Sequence, residues 1–371
     1  NVAISAGGGT LGATVAGKDL QLATAAVTAQ TTVSINSLKI LGAFGITLGS
    51  GQTLTIASGG LIKTGTTATI TGGTLATSGE LVIRQDASTD ALTIGSIISA
   101  GTGLAGNVAL TKSGLGTLTL STATNAINGE IVINGGVITI DSVNRVAGSI
   151  GGITLNGGGL TVSSNSNVTK IFTLGLNGGT LTQSNTSNDN TFGTAGDVLQ
   201  FVGLGARTLT LVGGDTRVKT FNFSIGDNGG STSLMLNGSG DNSVYRLAGA
   251  NTYTGTTTIT RGILRIAAAT DLPGGLGGAT LSSSNTGGGN LIFAATGTTR
   301  AILEVTSAGG DIYRSVGNGI DQIQWTGNGG FSNQTANTTR IVNLGGTGAT
   351  LTWGAGGFVP TGSRLQFSQV G

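Results

Sequence analysis

Two stretches of this chain carry the same five residues at the same steps. Asn125, Gly129, Ile133, Gly136 and Ile140 follow one another at intervals of 4, 4, 3 and 4, and so do Asn251, Gly255, Ile259, Gly262 and Ile266. In each copy an Asn-to-Gly turn opens a β-branched run, a Gly turn follows, and a second short apolar strand closes the unit. A unit this small cannot bury its own apolar face, so it must be stacked on neighbours of its own kind. The turn phrase Ile-Asn-Gly-Gly at Ile133 returns as Leu-Asn-Gly-Gly at Leu155 and Leu176, 22 and 21 residues on. About 20–25 residues is what one coil of two or three strands and their turns requires. The expectation is an all-β fold: a single-stranded parallel β-helix, or β-solenoid, with irregular loops.

Composition removes the rival readings. The 371 residues include 70 Gly, two Pro, one Met, no His and no Cys, and 9% are charged. Gly at more than twice its average usage of about 7% raises disorder and collagen as alternatives. Disordered chains are poor in apolar residues and rich in charge, whereas 37% of this chain is hydrophobic. Collagen needs a strict Gly-X-Y period and much Pro, and neither is present. The lack of Cys suits export without disulfide stapling. A formal net charge of +2 offers no basic stripe, so nucleic acid is not an expected partner. No run reaches the ~18 apolar residues of a membrane-spanning segment. Beginning at Asn1 with neither Met nor a signal peptide, the sequence reads as a processed product or a piece of a longer chain.

Along its length the chain reads as one continuous solenoid over 1–371. Residues 1–100 form N-terminal coils, 101–270 repeat-bearing coils with loop insertions near 183–230, and 271–371 C-terminal coils with Trp-containing turns. The 183–230 stretch is polar and irregular, and Pro273 interrupts the ladder because Pro cannot donate a backbone hydrogen bond.

The two repeat copies, together with Leu-Thr-Lys-Ser-Gly-Leu-Gly-Thr-Leu-Thr-Leu-Ser from Leu110, the run from Ser37 to Leu61 and that from Val342 to Gly362, resemble a known family. It is the autotransporter-associated β-strand repeat family, the Gly/Thr-rich surface passenger proteins of planctomycete-like bacteria. The resemblance implies a right-handed parallel β-helix passenger, extracellular or on the bacterial cell surface. It transfers no catalytic residues, because the family shares none, and it implies no cofactor.

Zero His removes Ser-His and Cys-His nucleophilic sites and most zinc sites. Carboxylate catalysis requires acids within about 5–10 Å of each other. Asp86 and Asp90 are close in sequence, and Glu304 and Asp321 could meet across coils, but turn and surface roles are the simpler reading. Gly-Gly-Asp at Asp215 and Asp311 lacks the tandem period of a calcium β-roll. Thr-x-Thr pairs at Thr53/Thr55, Thr117/Thr119, Thr208/Thr210 and Thr256/Thr258 lie two to four coils apart, too far for a continuous ice-binding face. Trp325 and Trp353 are possible glycan contacts, although in a chain with 4% aromatics burial inside wide coils or a terminal cap is the favoured reading. Arg246, Arg261 and Arg265 cluster on the second repeat. No catalytic, metal or cofactor residue is assigned. The leading reading is an extended structural protein, a fibre, stalk or adhesin shaft that self-associates end to end or continues in a longer parent chain. The alternative is a carbohydrate-active or glycan-binding β-helix meeting a surface glycan.

Overall fold

Alternating runs such as Thr-Leu-Thr-Leu and Val-Ile-Thr-Ile present one face inward and one outward, and the chain stacks such runs coil upon coil. The structure, a computed structural model, describes residues 2–4, 10–11, 15–102, 106–121, 124–146, 148, 151–214, 216–277, 288–335, 338–345 and 349–368. The ladders between successive coils are parallel throughout, from Val2–Ile4 on Asp19–Leu22 to Gly329–Asn333 on Leu365–Ser368. The architecture is a parallel β-helix. It divides into two compact units, Asn1–Ser166 and Asn167–Gly371.

In the first unit the coils contribute strands to three sheets. The first face runs through Asp19–Leu22, Ser37–Leu41, Gly60–Thr64, Leu81–Arg84, Val108–Ser113, Glu130–Ile133 and Ile153–Leu155. The second runs through Ile46–Leu48, Ala68–Thr71, Ala91–Ile94, Thr117–Leu120, Val137–Ile140 and Gly159–Val162. The third holds Val33–Ile35, Thr53–Ile56, Thr74–Ala76, Ile97–Ala100 and Ala126–Ile127. Inward side chains line up from coil to coil, as in the row Ile46, Ile70, Ile94, Leu120, Ile140 and Val162. All six are buried.

The second unit is built mainly on two such sheets. One contains Gly179–Gln183, Arg207–Gly213, Thr232–Asn237, Leu291–Phe293 and Ile323–Trp325. The other contains Asn190–Val198, Val218–Ser224, Val244–Leu247, Ala301–Val305, Gly329–Asn333 and Leu365–Ser368. The strand Thr257–Ile266 serves both, pairing in the first sheet through Ile259 and in the second from Gly262 onward. Gly262, with φ +108, makes that corner. The inward row Leu211, Leu236, Ile259, Phe293 and Trp325 grows in bulk toward the C-terminal coils.

Residues 183–230 are largely strand rather than loop, carrying Asn190–Val198, Arg207–Gly213 and Val218–Ser224. Their polarity belongs to the turns: Asn185 Oδ1 accepts from the backbone N–H of Ser187, and Asp227 Oδ1 from that of Thr232. Ile133, Ile140, Ile259 and Ile266 are each 0% exposed. Ile259→Asp would bury an unpaired carboxylate in place of the aliphatic side chain. It is expected to cost about 4 kcal/mol or more in denaturant unfolding. Thr258→Asp, one residue away on the outward face, should cost less than about 1 kcal/mol. Equal costs would mean that the inward and outward assignment of this strand is wrong.

Candidate functional site

The repeat builds the same corner twice, and its Asn is the centre of each. Asn125 Oδ1 accepts from the backbone N–H of Ile98 at 2.9 Å in the preceding coil, and Nδ2 donates to the Arg145 carbonyl at 2.9 Å in the following one. Asn251 Oδ1 accepts from the Ile225 N–H at 2.9 Å, and Nδ2 donates to the Asp271 carbonyl at 2.8 Å. One amide side chain thus joins three successive coils, which only a group with both donor and acceptor can do. Each Asn is 5% exposed, so its bonds are shielded from competing water. The carbonyls it meets lie in short 3-10 turns, Val143–Val146 and Ala269–Asp271, and the buried Val146 and Leu272 stand at the same sequence distance from their Asn. Gly129 and Gly255 are fixed by space: a Cβ there would lie 2.4 Å from the Asn107 carbonyl oxygen and 2.3 Å from that of Thr232.

The two corners coincide with a known repeat. Residues 110–140 and 244–266 match the passenger-associated-transport-repeat family. Comparison with curated proteins and with solved structures gave no match. The passenger repeat implies an autotransporter-passenger-associated protein, at the cell surface or secreted. No helix among the described residues is long and apolar enough to cross a membrane.

Around the passenger repeats, the charged residues singled out in the sequence have separate local roles. Asp90 Oδ1 accepts from Gly65 N–H and Oδ2 from Ala87 N–H, while Asp86 pairs with Arg84 at 2.7 Å. Glu304, fully buried, pairs with Arg265 at 2.5 Å and accepts from Ser332 Oγ. Asp321 lies 3.8 Å from the buried Arg314. Asp311 accepts from the Ile341 N–H, and Asp215 is outside the described residues. Arg261 pairs with Asp241, so Arg261 and Arg265 are divided between different acids. Among the described residues no three acids gather as a metal site would need.

Sequence reasoning overlooked the buried cations at the turns. Lys63 and Lys112 occupy inward positions just before a glycine turn, in Lys-Thr-Gly and Lys-Ser-Gly phrases that were available as a signal. Lys112 Nζ donates to the carbonyls of Ser113 (2.8 Å), Gly114 (3.0 Å) and Gly135 (3.3 Å). Lys63 Nζ donates to those of Thr64, Gly65 and Thr66. Lys219 does the same for Asn185 and Asn188, and Arg207 for Leu174, Val202, Gly203 and Gly205. Burial pulls the Lys112 ammonium down to about 8, against the opposing pull of Asp86 and Asp90.

The two candidate glycan contacts have different surroundings. Trp325 is 2% exposed, its indole N–H donates to the Gly329 carbonyl, and its ring packs against Phe293, Phe331 and Phe358. It is therefore a core residue and offers no face to a sugar, because the largest inward position of its row falls there. Trp353 is 52% exposed and touches Phe358. A cavity of about 440 Å³ lies among Phe331, Asn333, Thr335, Thr338, Arg340 and Phe367.

Two expectations follow from these corners. Asn125→Ala removes the side-chain partner of the Ile98 N–H and of the Arg145 carbonyl and should cost roughly 2–4 kcal/mol in denaturant unfolding; a cost below about 0.5 kcal/mol would remove the Asn from its joining role. Lys112 is protonated less readily in the fold than in the unfolded chain, so the unfolded state binds the extra proton between about pH 8 and the ordinary lysine range near 10.5. Its contribution to stability therefore rises with pH across that window. The melting temperature of the wild type should gain on that of Lys112→Met as pH rises from 7 to 10, and a constant difference would contradict the assignment.

Proposed function

We propose that the protein is a structural element of a bacterial surface: an extracellular β-helix acting as fibre, stalk or adhesin shaft, extended by stacking of its open ends on further coils. The observation that carries this reading is the duplicated Asn corner, which couples each repeat-bearing coil to both neighbours, in segments that match a passenger repeat. Supporting it, the acids that might have formed a catalytic groove are occupied singly in turns and ion pairs.

The stacking part of the reading rests on two strand edges. Leu365–Ser368 pairs with Gly329–Asn333, and Val2–Ile4 with Asp19–Leu22, each on one side only among the described strands. The inward row Leu264, Leu303, Phe331 and Phe367 ends in Phe367, which is 72% exposed where the others are buried. An uncovered core row beside unpaired N–H and C=O groups recruits another strand. A second reading, recognition of a surface glycan, is favoured by the cavity beside Phe367, where a sugar ring would meet aromatic, hydroxyl and amide groups. Sedimentation velocity tests the first. The isolated chain should form elongated multimers that grow with concentration, and Leu365→Pro, which removes an N–H on the side away from Gly329–Asn333, should reduce them. A monomer of about 36 kDa at every concentration, with the terminal strands folded, would end the stacking proposal.

A further inference from the structure

We propose that the outer surface of the second face of the first unit is an ice-binding surface, one that holds a layer of water in crystalline order. The register brings Thr69, Thr93, Thr119, Thr139 and Thr161 side by side on five consecutive coils. These ladders run without a register shift, unlike the first face, where Val108–Ser113 carries one. The Thr-x-Thr spacing conceals the row, because three of its members, Thr93, Thr139 and Thr161, come from strands written Ala-Leu-Thr-Ile, Val-Ile-Thr-Ile and Gly-Leu-Thr-Val.

Strand propensity alone does not account for the row. Thr suits any outward position of a strand, yet the neighbouring outward row reads Ala91, Thr117, Val137, Gly159, and the first face reads Gln21, Lys39, Ile62, Arg84. A purely structural Thr ladder is also a poor account. Structural hydroxyls in this protein bond to it, as Thr260 does to the Leu236 carbonyl and Thr154 to Glu130. None of the five row hydroxyls bonds to another described protein group.

What such a row can bind follows from competition with water. A single exposed hydroxyl gains little from any partner, since liquid water satisfies it equally well. Five hydroxyls fixed at the ~4.8 Å strand separation are pre-organised only for a partner with the same repeat. The oxygen rows of ordinary ice repeat at a similar distance, and each Thr methyl sits beside its hydroxyl where caged water packs. The partner is uncharged, because the outward side chains of these strands (Thr71, Ala91, Thr117 and Val137 beside the row) carry no charge. A second copy of the chain is a poor occupant: five strands of about four residues cover roughly 300 Å², well short of the ~800 Å² per partner of a stable interface.

Ice recrystallisation and thermal hysteresis measured on the full chain test the proposal. The wild type should restrain crystal growth at micromolar concentration. The triple variant Thr93→Lys, Thr119→Lys, Thr139→Lys, with an unchanged circular dichroism spectrum, should need at least tenfold more protein. Gln21→Lys with Ile62→Lys on the first face should leave the effect intact. A folded wild type with no effect on ice would overturn the proposal, as would equal loss from first-face substitutions or an undiminished triple variant. None of these outcomes bears on end-to-end stacking, which is read by sedimentation.

Discussion

Every coil of this protein depends on the backbone ladder to the coil beside it. A strand of three to five residues flanked by turns has almost no local hydrogen bonding of its own, so its N–H and C=O groups are satisfied only by the next coil. That requirement explains the parallel pairing and the intolerance of the corners to an extra carbon at Gly129 and Gly255. It also explains why the repeat spends its one strongly polar buried side chain on an Asn. At a corner the chain leaves the ladder, and an amide supplies the donor and acceptor that the backbone there lacks.

The turns pose the complementary problem, an excess of inward carbonyls. The protein answers it with cations drawn inside the coil. Lys63, Lys112, Lys219 and Arg207 each gather two or more turn carbonyls, with aliphatic stems lying along the core row. A charge so placed is costly to desolvate, and the lowered proton affinity of Lys112 is the mark of that cost. Low overall charge and a charged interior are therefore compatible here, since several of the few cations serve turns rather than surface.

The architecture was readable because its period is written in the chain. The five-residue pattern at 125–140 and 251–266, and the Asn-Gly-Gly phrase every 21 or 22 residues, give the coil length directly. The corners were half readable: the motif named Asn125 and Asn251, but not the 3-10 turns at Val143–Val146 and Ala269–Asp271 that complete them, which lie past the last matched Ile. Trp325 illustrates a different limit. Its sequence context, Gln-Trp-Thr-Gly-Asn-Gly-Gly, favours burial no more than that of Trp353 does, and only the register that sets it beside Phe293 shows which of the two is the core residue. Register is likewise what assembles the Thr row, since neighbours in that row are 20 to 26 residues apart.

The inward cations carry a consequence for resistance to proteolysis. Proteases of the trypsin type cut after Lys and Arg, and they require several residues of extended, accessible chain around the bond. Of the 17 such residues, Lys63, Lys112, Lys219, Arg207 and Arg314 are at most 4% exposed. Cleavage after any of them would require its strand to leave the ladder first, with the loss of the turn carbonyls that the same side chain holds. The groups that tie the turns together are thus also removed from the enzymes best suited to cut them.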